Sequence, residues 1–527
     1  MPRHGVVGGT GERGGIDLRP LVALTVAVTV LGGLDVVPVW AGLPHHVALP
    51  PLDLFADVRV LLAEAPSYPW FAGWLIVVLA VRVVVLAAML RALGRAGIVR
   101  SLRFYAVALP VALVAGTLAF AGVAAVYSWL LWVAVGVALV AVLVAAPIAW
   151  CGSRRPGRGR LTVAGYLVAL LVVSLVSRLG SGQVQLAMLW ISAGLTAIAA
   201  HRLHRAGRGA GPGDAQPRDA GDPASPAEGG ARRARRRPRL AVLVLALLLA
   251  GATTPGQGPP PREPGSLLLV PGIGGSSGTS TMFRLDPATL GFDCEQTAYF
   301  SYAGTGPGAP QRAARCPITS GAPYRAEDTR RPLDELAATF RDQLAELEPP
   351  VVVVAHSQGG WVAAAGIDER AAGSVEDLVL LGAFPRHRRG YTLDGTGRGS
   401  VGTDGMEVLM TGLRSAGWTS FQPRAPLPRE LLGTPGAVDD LMRSLPDGLR
   451  VATVTSILDL PVMPPDWRLP GADDLCPLYV DHGHLPVSGA VYEQIRDHLA
   501  GRDGGNGGCP WWRRWPAQAF SAFAVPP

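Results

Sequence analysis

Six long apolar stretches occupy the first 201 residues of this 527-residue chain. A helix needs roughly 20 apolar residues to cross the ~30 Å hydrocarbon core of a bilayer. Most of the stretches reach that length, although the fifth is marginal; buried core helices of a large soluble protein are the alternative. We therefore expect an α-helical membrane bundle of six helices over residues 21–201, formed by Leu21–Leu43, Phe71–Leu90, Phe104–Val126, Ser128–Trp150, Leu161–Val176 and Val184–Ala200.

The arginines around these stretches predict how the chain is oriented in a membrane. The segment before the first stretch and every second connection after it together carry 21 arginines. The connections between them carry only two, Arg59 and Arg178. Since arginine-rich loops stay in the cytoplasm, residues 1–20 are expected to be a cytoplasmic N-terminus. The net charge of +7 is mostly this topological signal, so nucleic-acid binding is not expected.

Three short regions follow the sixth stretch. Residues 202–239 are basic and rich in Gly and Pro, which predicts a disordered cytoplasmic linker. Residues 240–252 are apolar and end in small residues, so they form either a seventh transmembrane helix, which we favour, or a signal-like segment that is cleaved. Residues 253–264 then form an extracytoplasmic tether. With seven spans, everything beyond residue 252 lies outside the cell membrane.

Two charged residues fall inside the first two predicted spans, Asp35 and Arg82. Charges within a bilayer are costly, which predicts an ion pair or a water-filled pocket. We favour an anchoring bundle with one structural ion pair, and a transport or lipid-presenting role is the alternative.

The C-terminal half changes to short apolar runs that alternate with amphipathic segments, a pattern typical of a mostly parallel α/β sheet. The run from Pro332 to Leu347 has helical spacing, and Ser488–Leu499 is predicted as a closing helix. Strands are predicted at SLLLV (Ser266–Val270), TAYFSYAG (Thr297–Gly304), VVVV (Val351–Val354), DLVLLGA, LRVATVTS and LCPLYVDHGH.

The central valine strand runs into Ala355-His356-Ser357-Gln358-Gly359. This turn between a strand and a helix resembles the nucleophile elbow G-x-S-x-G of the α/β-hydrolase superfamily, in its lipase and esterase branch. Alanine stands at the first small position, a variant that also occurs among bacterial lipases. His356 should point away from the nucleophile, and we interpret it as structural.

The resemblance implies an α/β-hydrolase domain over residues 265–500, with a small cap at about 385–449. It implies Ser357 as the nucleophile and backbone N–H groups of Ile273 and Gln358 as the oxyanion hole. The loop LLLVPGIGG that contains Ile273 has Pro271 where many lipases have histidine; a phosphate-binding loop is the alternative. Asp459 follows a predicted strand and fits the orienting acid, with Asp473 and Asp474 as weaker candidates. His482 fits the base, with His484 as the alternative, and Asp481 is read as a capping or solvated residue.

Cysteine usage agrees with an exported domain. Cys151 lies at the inner end of the fourth span, whereas the other four cysteines follow residue 252, which suits an oxidising compartment. Four cysteines allow three pairings; we favour Cys294 with Cys316 and Cys476 with Cys509, since each closes a local loop, and free buried thiols are the alternative. No C-x-x-C or H-x-x-x-H spacing appears, so neither a metal nor a cofactor is expected.

Two regions bear on the substrate. The cap contains apolar residues that line an acyl pocket or form the cap's own core: Leu409, Met410, Leu413, Trp418, Phe421, Leu431 and Leu432. Residues 501–527 interleave Trp and Arg, a composition that favours lipid headgroups, or else a disordered tail.

These features predict a membrane-anchored, extracytoplasmic serine hydrolase that cleaves acyl esters, which include lipids. An acyltransferase with the same triad is one alternative. A non-catalytic hydrolase-like domain that serves as a receptor for the membrane bundle is another. The excess of Arg, Ala, Gly, Val and Pro is typical of GC-rich bacterial genomes.

Overall fold

In a computed structural model the chain divides into two compact units. The first comprises Met1–Val30, Val39–His45 and Val140–Thr253, and the second comprises the remaining residues. Besides isolated positions, the structure describes residues 18–33, 54–92, 97–102, 182–208, 265–383, 399–404, 425–433, 437–456, 469–478 and 482–501.

Four helices are described in the N-terminal half: α1 (Arg19–Gly33), α2 (Leu54–Glu64), α3 (Tyr68–Ala92) and α4 (Gly182–Arg208). Helix α3 coincides with the second predicted span, and α4 contains the sixth. Helix α4 continues seven residues past residue 201, so the predicted linker begins as helix. Helix α1 covers the first part of the first predicted span, up to Gly33. The rest of that span and the third, fourth, fifth and seventh predicted spans lie wholly or partly outside the described residues, and a bundle of six to seven helices stays a prediction.

Among the described helices, only α3 has the length and the apolar composition that crossing a bilayer requires. Its 25 residues extend for roughly 37 Å at ~1.5 Å per residue. Many of its apolar side chains are exposed, with Ile76 at 66% and Val84 at 61%. Helix α3 therefore presents an apolar surface that nothing in the described chain covers at these positions.

Helix α2 was not predicted from the sequence, because its 11 residues are interrupted by charged side chains. It packs against α3 through an apolar cluster that includes Leu54, Val58 and Val83. One of its charges, Asp57, forms an ion pair with Arg82 of α3. Arg82 is thus paired, with Asp57 of α2 as its partner. Asp35 lies outside the described residues.

The C-terminal half is built on a six-stranded sheet in which every described pair of strands is parallel. Strand β3 lies between β1 and β4, and its six residues are all buried. Parallel sheets are covered on both faces, which is why β1, β3 and β4 are near-continuous apolar runs. In the order β2-β1-β3-β4-β5-β6 the strands are Thr297–Tyr299, Ser266–Val270, Val351–His356, Val375–Leu381, Arg450–Val454 and Asp473–Asp474.

Five helices accompany this sheet: α5 (Leu333–Leu344), α6 (Gln358–Gly366), α7 (Pro426–Gly433), α8 (Ala437–Arg443) and α9 (Gly489–Leu499). Helix α6 packs against β1, β3 and β4, and α5 packs against α6. Helices α7 and α8 belong to the predicted cap; α7 contains Leu431 and Leu432, and the other predicted pocket residues lie outside the described part of the chain.

The last strand differs from the prediction. The sequence LCPLYVDHGH was expected to form it, but β6 is the preceding pair Asp473–Asp474. Pro477 lacks an N–H group and cannot continue a ladder. The chain still follows β5, since Leu475 donates to the carbonyl oxygen of Thr453, and Leu478 donates to that of Thr455.

A short helical segment of the predicted cap, residues 399–404, contacts the loop between α2 and α3. The Ser400 hydroxyl donates to the carbonyl oxygen of Pro66 over 2.7 Å, and the Tyr68 hydroxyl donates to Asp404 over 3.2 Å. Val401 packs into the apolar cluster of α2 and α3. Residues 399–404 are therefore attached to the N-terminal end of α3.

One disulfide joins Cys294 and Cys316, whose Cα atoms lie 5.3 Å apart. Cys316 is fully buried beside the ring of Tyr299, whose hydroxyl accepts a hydrogen bond from the Cys316 N–H group. Cys476 is also disulfide-bonded, and its predicted partner Cys509 lies outside the described residues.

Removing this disulfide should destabilise the sheet domain. The bond closes a loop of sequence separation 22, and a loop of that size is worth about 3 kcal/mol in the unfolded chain. We expect the double variant Cys294→Ala/Cys316→Ala to melt about 6–12 °C below the wild type, measured on the full-length protein in detergent. An unchanged melting temperature would show that the bond does not restrain folding.

Candidate active site

Ser357 occupies the turn between β3 and α6. Its backbone has φ 56° and ψ −130°, and it is one of two described non-glycine residues with a positive φ. An L-residue in this region carries strain of about 1–3 kcal/mol. Such a turn presents the side chain at the carboxyl end of the sheet, where parallel α/β folds bind ligands.

The glycine after Ser357 is required by a close approach between α6 and β1. A Cβ atom on Gly359 would lie 2.5 Å from the carbonyl oxygen of Pro271 and 2.8 Å from that of Val270. Gly272 is also closely packed, although less tightly, because its Cβ would lie 3.0 Å from the Cβ of Ser357. The loop after β1 is therefore in contact with the elbow.

This contact concerns the two N–H groups that the sequence predicts as an oxyanion hole, because Gly272 next to Ile273 lies against Ser357. Ile273 follows Gly272 in the loop, and Gln358 is the first residue of α6. Within the described residues, neither backbone N–H group donates to a protein acceptor. Gln358 lies at the N-terminus of α6, and a helix N-terminus favours negative charge.

His482 lies beside the elbow. Its ring packs against the ring of His356 with centroids 4.7 Å apart, and His356 directly precedes Ser357. The Nε2 atom of His356 lies 2.8 Å from the carbonyl oxygen of His482. Because a carbonyl oxygen can only accept, Nε2 carries the proton, and His356 holds the backbone of the His482 loop.

The environment of His356 keeps it neutral. Burial, followed by the repulsion of His482, lowers the pKa of His356 to about 3, although its hydrogen bond to the His482 backbone acts in the opposite direction. A neutral imidazole that donates from Nε2 has a structural role, which agrees with the interpretation of His356 from the sequence.

Of the other predicted site residues, three lie in the described part of the chain and two do not. His484 is half-buried in the same 3-10 segment, His482–Val487. Asp473 and Asp474 form β6, where they pair with Ala452 and Thr453 of β5. Asp459 and Asp481 lie outside the described residues.

A second aspartate and histidine pair was missed from the sequence. Asp377 of β4 and His498 of α9 are both buried, with Nε2 of His498 3.2 Å from Oδ1 of Asp377. Arg450 of β5 donates to the other carboxylate oxygen over 2.7 Å. Asp377 lies opposite the first residue of β5, at the amino end of the sheet. The Asp377–His498 pair is therefore at the opposite end of the strands from Ser357, and it joins α9 to the sheet.

Comparisons with known proteins agree with this architecture. Residues 267–518 match the model of the Alpha/beta hydrolase family, so the C-terminal half of the chain is an α/β-hydrolase domain. No curated protein sequence matches the chain.

The solved structures that match this chain include an esterase and a bromoperoxidase. An esterase, RhEst1, from Rhodococcus sp. ECU1013 is 15% identical, with a TM-score of 0.28, and the match covers 46% of this chain and 92% of the esterase. A bromoperoxidase from Bacillus anthracis is 14% identical, with a TM-score of 0.28, and the match covers 45% and 91% of the two chains.

Replacing Gly359 tests the packing of the elbow. Gly359→Ala forces a methyl group against two backbone oxygens, and we expect a loss of about 1–3 kcal/mol in the free energy of unfolding. Gly373→Ala is the matched control, since no atom lies within 4 Å of its Cβ position, and it should change stability by less than about 0.5 kcal/mol. Equal melting temperatures for the two variants would contradict the close approach.

The buried His356 should make stability depend on pH. Its folded pKa of about 3 lies below the value of about 6.5 in an unfolded chain, so the unfolded state binds more protons between these values. Stability is then complete above about pH 6.5 and falls as the pH drops toward 3, by at most about 1.4 kcal/mol per pH unit. His356→Gln should flatten the melting temperature between pH 7 and pH 5.

The exposed His201 provides the control for this experiment. His201→Gln should keep the wild-type dependence on pH. A wild-type dependence in His356→Gln as well would mean that another group is responsible.

Proposed function

We propose that this protein is a membrane-anchored serine hydrolase that cleaves acyl esters outside the cytoplasm, with Ser357 as its nucleophile. The observation that carries the proposal is the strained Ser357 next to Gln358 and the loop after β1, where, among the described residues, the N–H groups of Ile273 and Gln358 have no protein acceptor. Strain of this kind persists where the surrounding structure over-determines it, and it concentrates at reactive residues.

In the first half of the reaction, the Oγ atom of Ser357 attacks the carbonyl carbon of the ester. His482 accepts the hydroxyl proton, and the negative charge on the substrate oxygen is stabilised by the N–H groups of Ile273 and Gln358. The C–O bond to the alcohol then breaks, and the alcohol leaves with the proton from His482. The products of this half are the free alcohol and an ester between the acyl group and Ser357.

In the second half, water replaces the alcohol. His482 takes a proton from the water, whose oxygen attacks the acyl carbon, and the same two N–H groups stabilise the charge. The carboxylic acid leaves and the proton returns to Ser357. We assign the orientation of His482 to Asp459, in the order of acid and base along the chain that the sequence predicts. The contact of His482 with His356 favours it over His484 as the base.

The membrane attachment rests on α3. Its exposed apolar side chains suit a lipid environment, and its last turn carries Arg91, which favours the cytoplasmic side for that end. The hydrolase cap contacts the opposite end, at Pro66 and Tyr68. This arrangement supports a catalytic domain on the extracytoplasmic side, and the disulfide between Cys294 and Cys316 suits an oxidising compartment.

A fluorophosphonate probe tests the reaction and the location together. A probe that cannot cross membranes should label the wild type on intact cells, because an activated serine attacks its phosphorus. Ser357→Ala should lose the labelling, and purified full-length Ser357→Ala in detergent should lose hydrolysis of p-nitrophenyl esters by at least 10³-fold. Ser444→Ala, which removes an exposed hydroxyl, should behave as the wild type.

The outcomes separate the parts of the proposal. Unchanged ester hydrolysis by Ser357→Ala would refute the nucleophile. Labelling only after the cells are broken open would leave the nucleophile in place and refute the extracytoplasmic location.

A further inference from the structure

Thr329 is a fully buried residue in the 3-10 segment Asp328–Arg330, just before α5. Its hydroxyl donates to the carbonyl oxygen of Ala326 over 2.7 Å. The same oxygen accepts a hydrogen bond from the backbone N–H group of Gly274 over 3.0 Å. The backbone carbonyl oxygen of Thr329 accepts a hydrogen bond from Nε2 of Gln358 over 2.5 Å. Thr329 therefore binds two segments that are distant in sequence.

These two segments are the two sides of the candidate oxyanion hole. Gly274 directly follows Ile273, and Gln358 directly follows Ser357. Two N–H groups stabilise one oxygen only if both lie about 2.7–3.1 Å from it, so their mutual distance has to be fixed. Thr329 forms a hydrogen bond with Gly274, which is the residue next to the donor Ile273. It forms another with the side chain of Gln358, which is the second donor.

Neither side is fixed by its own conformation. Gly274 has φ +77°, a region that glycine reaches readily and can leave as readily. The Gln358 amide is fully buried, and among the described residues its Oε1 atom has no partner, so the bond from Nε2 to Thr329 is the one that orients it. The neighbouring Pro271 is held separately by the hydroxyl of Tyr302 over 2.6 Å.

We propose that Thr329 is a positioning residue that sets the separation of the two oxyanion-binding N–H groups. A hydroxyl suits this role because it donates and accepts at once. The bond to Ala326 directs the hydroxyl hydrogen away, which leaves a lone pair for the N–H group of Gly274. This inference rests on the proposed function, because it assigns a role within the reaction of Ser357.

The test compares variants of Thr329 in the full-length protein, with a p-nitrophenyl ester as substrate and an alkyl boronic acid as inhibitor. Thr329→Val keeps the branched shape and the backbone carbonyl but removes the acceptor for Gly274. We expect kcat to fall about 10–100-fold, somewhat less than the loss of a direct oxyanion donor, with KM changed less than about twofold. The inhibition constant of the boronic acid, whose adduct places an oxygen in the hole, should rise by a similar factor.

Two further variants make the result specific. Thr329→Ser restores the hydroxyl and should restore kcat to within about threefold. Thr329→Cys carries a weaker acceptor of similar size and should give an intermediate kcat, which keeps the test usable if the valine variant does not fold.

Thr289→Val is the matched control. Thr289 also lies in a 3-10 segment, and its hydroxyl donates to the carbonyl oxygen three residues earlier, that of Asp286, over 2.6 Å. It is remote in sequence from both oxyanion donors, so its loss should leave kcat and the inhibition constant unchanged.

The inference is wrong if Thr329→Val or Thr329→Cys keeps the wild-type kcat and boronic acid affinity, if only KM changes, or if the serine variant fails to restore kcat. In each case an inactive Ser357→Ala leaves the proposed function standing. An active Ser357→Ala removes the proposed function itself, and with it the basis of this role for Thr329.

Discussion

The candidate site depends on the close approach of helix α6 to the end of strand β1. Only a residue without a Cβ atom fits at Gly359, where two carbonyl oxygens lie within 2.8 Å of the Cβ position. Because β1 is the direct neighbour of β3 in the sheet, the chain has to turn sharply as it leaves β3. That turn forces Ser357 to a positive φ, and it also brings the loop after β1 against the serine. One packing contact thus determines the conformation of Ser357 and the position of the loop that faces it.

The loops around Ser357 are then held by neutral, buried hydrogen bonds. His356 fixes the backbone of His482, Tyr302 fixes Pro271, and Thr329 reaches both Gly274 and Gln358. All of these contacts bind backbone or amide groups instead of charges. Burying them therefore carries no large desolvation penalty, and in a poorly polarisable interior such bonds are stronger than in water. The fully buried Asp377 lies at the amino end of the sheet, opposite to the end that carries Ser357.

The sequence predicted those parts of the fold that local pattern determines. SLLLV forms β1 as expected, and the valine run and the elbow are found where the motif placed them. The prediction was wrong for β6, because Pro477 interrupts the ladder. Helix α2 was not predicted, because its charged residues interrupt the apolar pattern of its short buried face. The role of Thr329 could not be foreseen, since its partners lie 55 and 29 residues away along the chain and only folding brings them together. The identity of the acid stays a prediction, because Asp459 lies outside the described residues.

The strain at Ser357 has a consequence for how such a chain can evolve or be engineered. A glycine there would relieve the backbone and stabilise the domain by up to about 1–3 kcal/mol, yet it would remove the hydroxyl. Selection for heat resistance alone would therefore favour loss of the Ser357 hydroxyl, whereas, if Ser357 is the nucleophile that we propose, selection for activity retains the strained form. A search for more heat-resistant variants would have to screen for turnover as well, or it would enrich folded but inert molecules.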